Sequence, residues 1–408
     1  MSSDANKWPT LRLSECCASI SDGDHQPPPK ADEGVPFVTI SNIVSNKLDF
    51  TDTMYVPMSY YEGLDPKRRA QPGDILYSVV GSFGIPVFIE DNEPFVFQRH
   101  IAILRPSPEV ILPKYLYYTM LSPIFYKKAD IAAIGAAQRT ISLTALRNME
   151  IEVPSLDIQQ KVIDYLAPYD DLIATNQKQI ALLEEAAQRI YKEWFIDFRF
   201  PGHDDTFVMD DIPNGWIVNK AESFFDITIG KTPPRAESRW FINEGGIPWV
   251  SISDMGKSGT YVFDTNEQLT VDAVLKHNVK VVQPGTVFVS FKLTVGKVSI
   301  ATVPMCTNEA IAHFRIHDTA LRDYAYWYLR EFKYDTLGNT SSISQAVNSK
   351  IIKAMPFMMP DRKTIDAFAS IVSPIMSQIK TCQDKSRMAE EARGILLQKL
   401  LTEVPNQE

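Results

Sequence analysis

The sequence predicts an α+β fold in which two similar mixed α/β globular units alternate with two long helical arms. Two observations carry this prediction. Blocks of the first half recur in the second half in the same order, and each half ends in a long stretch with a heptad-type apolar pattern. Within each globular unit, runs of β-branched and aromatic residues between Pro and Gly predict several short strands.

Length and composition are those of a globular protein with more than one domain. The 408 residues exceed the roughly 100–200 of an ordinary domain, and apolar and charged residues make up 45% and 22% of the chain. No apolar run approaches the roughly 18 residues that cross a bilayer, and the first residues lack the pattern of a signal peptide. Because Cys16, Cys17, Cys306 and Cys382 have no metal-ligand spacing, we expect a reduced, cytoplasmic protein without disulfides.

The first repeat lies in the globular units. Gly34–Ile43 resembles Gly246–Met255, 212 residues later, and the Gln-Pro-Gly turn that begins at Gln71 recurs at Gln283 with the same displacement. Matched strands are therefore predicted at 35–40 and 247–252, at 74–79 and 287–291, and at 101–104 and 311–314.

The second repeat lies in the helical arms, where residues 154–195 align with residues 360–401 at a displacement of 206. Apolar residues at steps of three and four predict a seam between helices, and the polar Asn176 is expected to fix its register. The predicted seam consists of Val162, Leu166, Ile173, Asn176, Ile180, Leu183 and Ile190 in the first arm, and of Ile371, Ile375, Ile379, Met388 and Ile395 in the second. The alternative, a surface helix on a globular core, does not explain why two such helices recur.

Local motifs in both halves resemble those of one known family. Glu193–His203 is similar to a segment that follows a central helix, and the Gln-Pro-Gly turns are similar to a characteristic strand entry. Gly135–Pro154 is similar to the exit from a target-recognition domain, with a degenerate copy after Gln345. In this order, and twice over, the motifs resemble the specificity subunits of type I restriction–modification systems.

The resemblance implies a domain plan and a task. Target-recognition domains are expected at 1–154 and 213–360, a central arm at 155–200, a linker at 201–212, a second arm at 361–404 and a tail at 405–408. The arms are expected to pack antiparallel as a coiled coil with an internal pseudo-two-fold repeat. Each domain then reads one half of a bipartite, asymmetric DNA site, and the arms set the spacer between the halves.

The resemblance also implies partners. These are double-stranded DNA, two methyltransferase subunits that modify adenine N6 and, where the complex also restricts, two restriction subunits; no membrane partner is implied. S-adenosylmethionine, ATP and Mg²⁺ belong to those subunits. The sequence agrees, because it contains neither the Asn/Asp-Pro-Pro-aromatic motif of adenine methyltransferases nor a G-x-x-x-x-G-K-[ST] phosphate loop.

We therefore expect no catalytic residue, no cofactor and no metal site in this chain. The close histidine pair, His313 and His317, falls on a predicted strand. A hydrogen-bonded strand histidine is the more ordinary interpretation of such a pair than a metal ligand.

Candidate DNA-binding residues must be chosen by local charge, because the net charge of −9 does not favour phosphate binding. The candidates are Lys67, Arg68, Arg69, Gln98, Arg99, Lys127, Lys128, Gln138 and Arg139 in the first domain, and Lys231, Arg235, Arg239, Lys292, Lys297, Asn308 and Gln345 in the second. Gln98, Arg99 and Lys292 are the best base-reading candidates because they differ between the copies. For any single lysine, the alternative is a solvated surface residue.

Two other functions remain open at this stage. A protein-interaction scaffold with oligomerising helices would also need long arms, but it would not retain a DNA duplex in a sequence-dependent way. A self-sufficient DNA-modifying enzyme would need the methyltransferase motifs that the sequence lacks.

Overall fold

The structure is a computed structural model that describes residues 8–44, 46–81, 83–135, 139–206, 208–209, 212–337 and 347–402. The chain forms two compact units. Unit 1 consists of Met1–Leu172 and Ala389–Glu408, and unit 2 consists of Ile173–Met388. Each long helix is therefore shared between the two units.

The globular part of unit 1 contains short strands and helices. Its strands are β1 (Thr10–Arg12), β2 (Cys17–Asp22), β3 (Val35–Val38), β4 (Ile43–Val44), β5 (Lys47–Leu48), β6 (Met54–Val56), β7 (Ile75–Ser78), β8 (Pro86–Phe88), β9 (Val96–Phe97), β10 (Ile101–Pro106) and β11 (Glu150–Glu152). Its helices are α1 (Leu13–Cys16), α2 (Met58–Glu62), α3 (Pro113–Leu121), α4 (Pro123–Ala132) and α5 (Leu143–Arg147), and α6 (Leu156–Phe195) follows.

The main sheet of unit 1 is antiparallel, with strand order β2-β10-β7-β8. A second sheet, β6-β3-β9, contains a parallel pair between β3 and β9. Strand β1 pairs with β11, so the beginning and the end of the globular part meet just before α6 begins. The matched strands predicted from the sequence at 35–40, 74–79 and 101–104 are confirmed as β3, β7 and β10.

Unit 2 repeats this pattern with additions. Its strands are β12 (Val208–Met209), β13 (Ile212–Pro213), β14 (Ile217–Lys220), β15 (Asp226–Ile229), β16 (Phe241–Ile242), β17 (Ile247–Val250), β18 (Tyr261–Val262), β19 (Gln268–Leu269), β20 (Val287–Ser290), β21 (Val298–Ala301), β22 (Cys306–Thr307), β23 (Ile311–Arg315) and β24 (Pro356–Met359). Its helices are α7 (Ile252–Ser258), α8 (Val271–His277), α9 (Thr319–Glu331) and α10 (Ser349–Lys353), and α11 (Arg362–Thr402) follows.

The main sheet of unit 2 has the order β15-β23-β20-β21-β18. Its first four strands are the counterparts of β2, β10, β7 and β8, and the fifth, β18, adds a parallel edge to β21. Strand β14 pairs with β24, as β1 pairs with β11 in unit 1. The predicted strands at 247–252, 287–291 and 311–314 are confirmed as β17, β20 and β23.

The long helices bury one stripe of apolar side chains within each unit. In unit 1, Val162 and Leu166 of α6 join the same core cluster as Leu397 of α11, and Arg393 forms an ion pair with Asp170. In unit 2, the opposite halves of the two helices pack together. The phenyl ring of Phe368 lies 5.9 Å from the ring of Trp194, and the Cys382 thiol donates to Gln179 at 3.3 Å.

Most of the predicted seam residues are at least half-buried. Val162, Leu166, Ile173, Asn176 and Ile379 are buried, and Ile180, Leu183, Ile190 and Ile375 pack against the core of unit 2 as partly buried residues. The first helix ends at Phe195, so residues 196–200, which the sequence assigned to the arm, continue as irregular chain.

The seam prediction is wrong at three positions of the second arm, because Ile371, Met388 and Ile395 are exposed. The buried stripe there contains Val372, Met376, Ile379, Cys382, Ser386, Ala389 and Leu397. Two apolar stripes run side by side along α11, and periodicity alone does not distinguish the stripe that faces the other helix from the stripe that faces outward. Among the described residues, no helix is both long and apolar enough to cross a membrane.

Candidate nucleic-acid interface

The first strand of the main sheet in unit 1 ends in a tight turn. Gly23 follows β2, and its N–H donates to the carbonyl of Ile101 at 3.0 Å. The N–H of Asp24 donates to the carbonyl of Phe97 at 2.7 Å, and the N–H of Arg99 donates back to the carbonyl of Asp24 at 2.9 Å. These bonds hold residues 23–26 against residues 98–100.

Unit 2 has the same turn at its equivalent strand. Gly230 follows β15, and its N–H donates to the carbonyl of Ile311 at 3.1 Å. The N–H of Lys231 donates to the carbonyl of Thr307 at 2.9 Å. The main chains of the two units therefore have the same arrangement at this end of the sheet.

Each hairpin beside these turns is closed by a serine at the end of its first strand. The serines are Ser78, at the end of β7, and Ser290, at the end of β20. The carbonyl of each serine accepts from the N–H of a glycine six residues later, at 2.9 Å in both units. The hydroxyl of Ser78 accepts from the N–H of Ile85 at 2.9 Å, and the hydroxyl of Ser290 accepts from the N–H of Lys297 at 3.0 Å. Because the hydroxyls are buried, these bonds fix the hairpins in one geometry.

The two turn glycines have no space for a side chain. A Cβ on Gly23 would lie 2.1 Å from the carbonyl oxygen of Phe97. A Cβ on Gly230 would lie 2.0 Å from the Thr307 hydroxyl and 2.1 Å from the carbonyl oxygen of Asn308. Glycine is required here because another strand passes at van der Waals distance, which is one of its ordinary structural uses.

We call the resulting surfaces the first and the second loop cluster. The first consists of residues 23–26, 80–81, 83–84 and 98–100, and the second of residues 230–235, 291–296 and 308–310. Within each cluster the hairpin joins the other loops through one further backbone bond. The N–H of Val79 donates to the carbonyl of His100 at 3.0 Å, and the N–H of Phe291 donates to the carbonyl of Ala310 at 2.9 Å.

The first loop cluster presents one exposed cation, Arg99, beside the amide of Gln98. Asp24 is buried and accepts a hydrogen bond from the phenol of Tyr60. Burial and this bond to a carboxylate raise the pKa of Tyr60 to about 12, so the phenol stays protonated at neutral pH.

The second loop cluster carries the opposite arrangement of charge. Lys231 takes the position of Asp24, and its ammonium donates to the carbonyl of His277 at 2.6 Å. Glu309 takes the position of Arg99 and accepts a hydrogen bond from the Thr232 hydroxyl. That hydroxyl, followed by the positive charges of Lys292 and Arg235, holds the pKa of Glu309 below its usual value.

A family model for the "Type I restriction modification DNA specificity domain" matches the chain twice, at residues 6–185 and 213–387. The chain belongs to the type I restriction–modification DNA specificity family. One relative bears the name MjaX specificity subunit, comes from Methanocaldococcus jannaschii, and is 25% identical over 410 residues that cover 97% of this chain and 93% of the relative. The type I restriction enzyme HindI specificity subunit of Haemophilus influenzae is 21% identical over 438 residues, covering 90% and 93% of the two chains.

A solved structure of the S subunit of a type I restriction–modification system from M. genitalium has the same overall fold. The match has a TM-score of 0.53 and covers 100% of this chain and 99% of that one, at 12% sequence identity. The α+β fold of a specificity subunit, predicted from the sequence, is thereby confirmed.

In this fold, the DNA-binding residues predicted from the sequence fall into three groups according to their location. The loop clusters contain Gln98 and Arg99 in unit 1, and Lys231, Arg235, Lys292 and Asn308 in unit 2. Lys297 follows the second hairpin and is half-buried. Gln138 and Gln345 lie outside the described residues, so their predicted roles stay predictions.

Three predicted arginines serve the structure of their own units. Arg235 makes a bidentate pair with Glu267, at 2.8 Å for both bonds, and its guanidinium lies 4.0 Å from the centre of the Phe241 ring. Arg239 pairs with Glu237 at 2.5 Å, and Arg139 pairs with Asp130 at 2.5 Å. Because each guanidinium already has a carboxylate partner, part of its charge and of its hydrogen-bonding capacity is used within its own unit.

The remaining predicted cations lie on two other segments of unit 1, and one of these, the turn at Lys67, accepts a hydrogen bond from the Ser21 hydroxyl of β2 at 3.0 Å. Lys67 and Arg68 belong to the 3₁₀ turn Pro66–Arg68, with Lys67 exposed and Arg68 3.8 Å from the Asp22 carboxylate, and Arg69 follows half-buried. Lys127 and Lys128 lie on α4, where Lys128 donates to the carbonyl of Glu150 at 2.8 Å.

The two histidines of the predicted strand pair lie in different environments. His313 is buried between the hydroxyls of Thr228, at 3.0 Å, and Thr307, at 2.7 Å, and burial lowers its pKa to about 4. His317 is exposed at a position beyond the end of β23. Among the described residues, no group of three His, Cys, Asp or Glu side chains is placed to hold a metal ion.

Sequence reasoning missed two residues of the second loop cluster, Glu309 and Leu293. Glu309 is acidic, and the search for phosphate-binding residues selected only basic and amide side chains. Its sequence alignment with Arg99, at the displacement of 210 that also relates the strands β10 and β23, could have identified it. Leu293 is apolar, so it too is not a residue type that binds phosphate.

Proposed function

We propose that this chain is the DNA-recognition subunit of a type I restriction–modification complex, in which each unit reads one half of a bipartite, asymmetric DNA site. The observation that carries the proposal is the pair of loop clusters. They share the backbone hydrogen bonds of their glycine turns and hairpins, but they present different side chains at matched positions.

A shared backbone with exchanged side chains fits a duplicated reader. Because the turns and hairpins match, both units can approach a DNA duplex in the same way. Side chains decide which base edges are accepted, since the major groove presents a distinct donor and acceptor pattern for each base pair. The change from Arg99 to Glu309 replaces a donor suited to guanine with an acceptor suited to the amino group of cytosine.

The long helices fit a spacer between two half-sites. Helices of 40 and 41 residues are each about 60 Å long. Leu166 and Leu397 share a core cluster, Asp170 pairs with Arg393, and Cys382 bonds to Gln179, an order that follows an antiparallel register along the helices. We infer an antiparallel coiled coil with a pseudo-two-fold repeat, which would hold the two readers at a fixed separation.

Repeated apolar residues on the outer faces of the helices fit two copies of one partner. Tyr165 of α6 and Ile371 of α11 are exposed and related by the displacement of 206, and so are Leu182 and Met388. Exposed apolar residues at repeated positions are what two copies of one partner would contact. We assign these positions to two methyltransferase subunits, which would carry S-adenosylmethionine, while ATP and Mg²⁺ would belong to restriction subunits where these are present.

The acidic net charge favours a complex in which the partner subunits supply most of the contacts to DNA phosphates. With a net charge of −9 and several arginines held by carboxylates within the units, the chain alone has few cations to offer to phosphates. We expect the chain alone to bind DNA weakly, with an affinity that falls steeply with salt concentration, and the partner subunits to supply the clamp on the duplex.

The experiment combines the full chain with the methyltransferase subunit of its complex and maps adenine methylation by single-molecule sequencing in cells. We expect one asymmetric target with two specified parts and a gap of constant length, and no methylation at this target when the chain is omitted. Methylation that is independent of the chain would contradict the proposal. Assembly with partner proteins without any sequence-dependent retention of DNA would favour the scaffold function.

A further inference from the structure

One residue of the second loop cluster is both strained and exposed. Leu293 lies in the hairpin between β20 and β21, has a φ of 61°, and is 96% exposed. Positive φ is unfavourable for a residue with a Cβ, and an apolar side chain gains nothing from water. Neither the folding of unit 2 nor its solubility therefore accounts for a leucine here.

The equivalent residue in unit 1 is of the type that this backbone conformation favours. Gly81 lies 212 residues earlier, at the same place in its hairpin, and has a φ of 69°. Glycine adopts this conformation without strain. The two units thus need the same backbone angle, and only unit 2 fills it with a large side chain.

The hairpin around Leu293 is held in place. The Ser290 hydroxyl donates to the carbonyl of Thr294 at 2.6 Å, and the N–H of Gly296 donates to the carbonyl of Ser290 at 2.9 Å. Gly296 itself lies against the ring of Tyr334. A rigid hairpin can present one side chain at a defined position, as a recognition contact requires.

The charges around Leu293 favour DNA as its partner. Lys292 is exposed next to it, and Glu309, whose pKa Lys292 helps to lower, lies in the same cluster. A cation beside an apolar group and an acceptor matches the mixture that a major groove presents: acceptor edges, thymine methyl groups and donor edges. Docking sites for the two partner subunits would recur in both units, and Leu293 has no leucine counterpart.

We propose that Leu293 is a specificity-determining residue that contacts the C5-methyl group of a thymine in the half-site read by unit 2. The proposal rests on the function proposed above, because it needs the second loop cluster to lie in the major groove. A methyl group buried against leucine is a sequence-specific contact that requires no hydrogen bond.

The test uses the complex of the full chain with its methyltransferase and the target found by methylation mapping. Each thymine of the half-site that unit 2 reads is replaced in turn by deoxyuridine, which removes only the methyl group. For the unchanged chain we expect one position at which binding weakens about 4-fold, the effect of losing one buried methyl group. Leu293→Ala should bind the thymine duplex more weakly and lose its sensitivity to deoxyuridine at that position.

Two further variants separate recognition from folding. Leu293→Gly should raise the melting temperature of the chain by a few degrees, because glycine relieves the positive φ, while it also loses the sensitivity to deoxyuridine. Ile217→Ala, which removes another exposed apolar side chain of unit 2, should keep the sensitivity unchanged.

The proposal is overturned if deoxyuridine has no effect at any position, if Leu293→Ala keeps the effect, or if the half-site contains no A·T pair. A complex that retains no duplex in a sequence-dependent way would instead contradict the proposed function itself. The two failures are therefore distinguishable in one set of binding curves.

Discussion

Compared position by position, the first and the second loop cluster differ in their side chains far more than in their backbones. Gly23 and Gly230, and the serines that close the two hairpins, make matching hydrogen bonds at nearly equal distances. Asp24 and Arg99, in contrast, correspond to Lys231 and Glu309, with the charges exchanged. The main-chain contacts of this fold can thus be duplicated while the side chains of the two copies diverge.

The comparison extends into the cores beneath the clusters. Asp74 of unit 1 is buried and forms two bonds to Arg105, at 2.9 Å and 2.7 Å. In unit 2 the position of Asp74 is taken by Thr286, and Arg315, the counterpart of Arg105, pairs with Asp226 near the surface. The two arginines therefore stand in the same place in the sequence repeat and in different electrostatic environments.

The largest effect is expected from Arg105→Met. It leaves the Asp74 carboxylate buried without its charge partner and should lower the free energy of unfolding of unit 1 by about 3–5 kcal/mol. The matched variant Arg315→Met breaks a largely exposed pair and should lower the stability of unit 2 by less than about 1 kcal/mol. Urea unfolding of the full chain measures both, and equal losses would contradict the distinction between the two units.

A pH effect confined to unit 2 is expected from His313, whose counterpart in unit 1 is Ile103. The pKa of His313 is about 4 in the folded state against 6.5 in the unfolded state, so the folded state favours the neutral ring. The stability that this provides is fully present above pH 6.5 and is lost as the pH falls towards 4, by about 3 kcal/mol in total.

The measurement for His313 is the free energy of unfolding between pH 7 and pH 4, taken for the unchanged chain and for His313→Ile. The variant loses the hydrogen bonds to Thr228 and Thr307, so its stability at neutral pH is not the readout. The readout is the slope with pH, which should be shallower in the variant. The same slope in both chains would show that His313 is protonated or solvated in the fold.

A smaller and more local effect is expected from the DNA contacts. Arg99→Ala should relax the target at one base pair of one half-site, with a loss of about 1–3 kcal/mol in discrimination. Lys67→Ala, on an exposed turn beside the end of β2, should weaken binding to all DNA sequences alike and reduce its salt dependence. Binding of the methyltransferase complex to a panel of single-base variants separates the two effects, and equal sequence-blind losses from both substitutions would contradict the assignment of Arg99.

The sequence repeat was sufficient to predict three matched pairs of strands and the two long helices because it records spacing along the chain. The helical periodicity placed Val162, Leu166 and Ile173 correctly on the buried stripe. It failed at Ile371, Met388 and Ile395, since apolar residues also recur on an exposed face of the second helix. Periodicity carries no information on which apolar stripe is covered within the chain.

The candidate site was less predictable for a different physical reason. Arg235 was chosen as an available cation, but its partners Phe241 and Glu267 come together only through the pairing of β16 with β19. Leu293 was missed because its positive φ follows from the hairpin geometry. A leucine in the sequence does not indicate a positive φ. Charge availability and backbone strain are both properties of the folded chain.

The most direct test of two independent readers is the methylation map of cells that express single variants of the two loop clusters. Arg99→Ala and Lys292→Ala are compared with the unchanged chain by single-molecule sequencing, each with the same methyltransferase. We predict that each variant relaxes a position in a different half of the target and leaves the gap length unchanged. If both variants alter the same half, or if either alters the gap, the account of two separate readers on one spacer is contradicted.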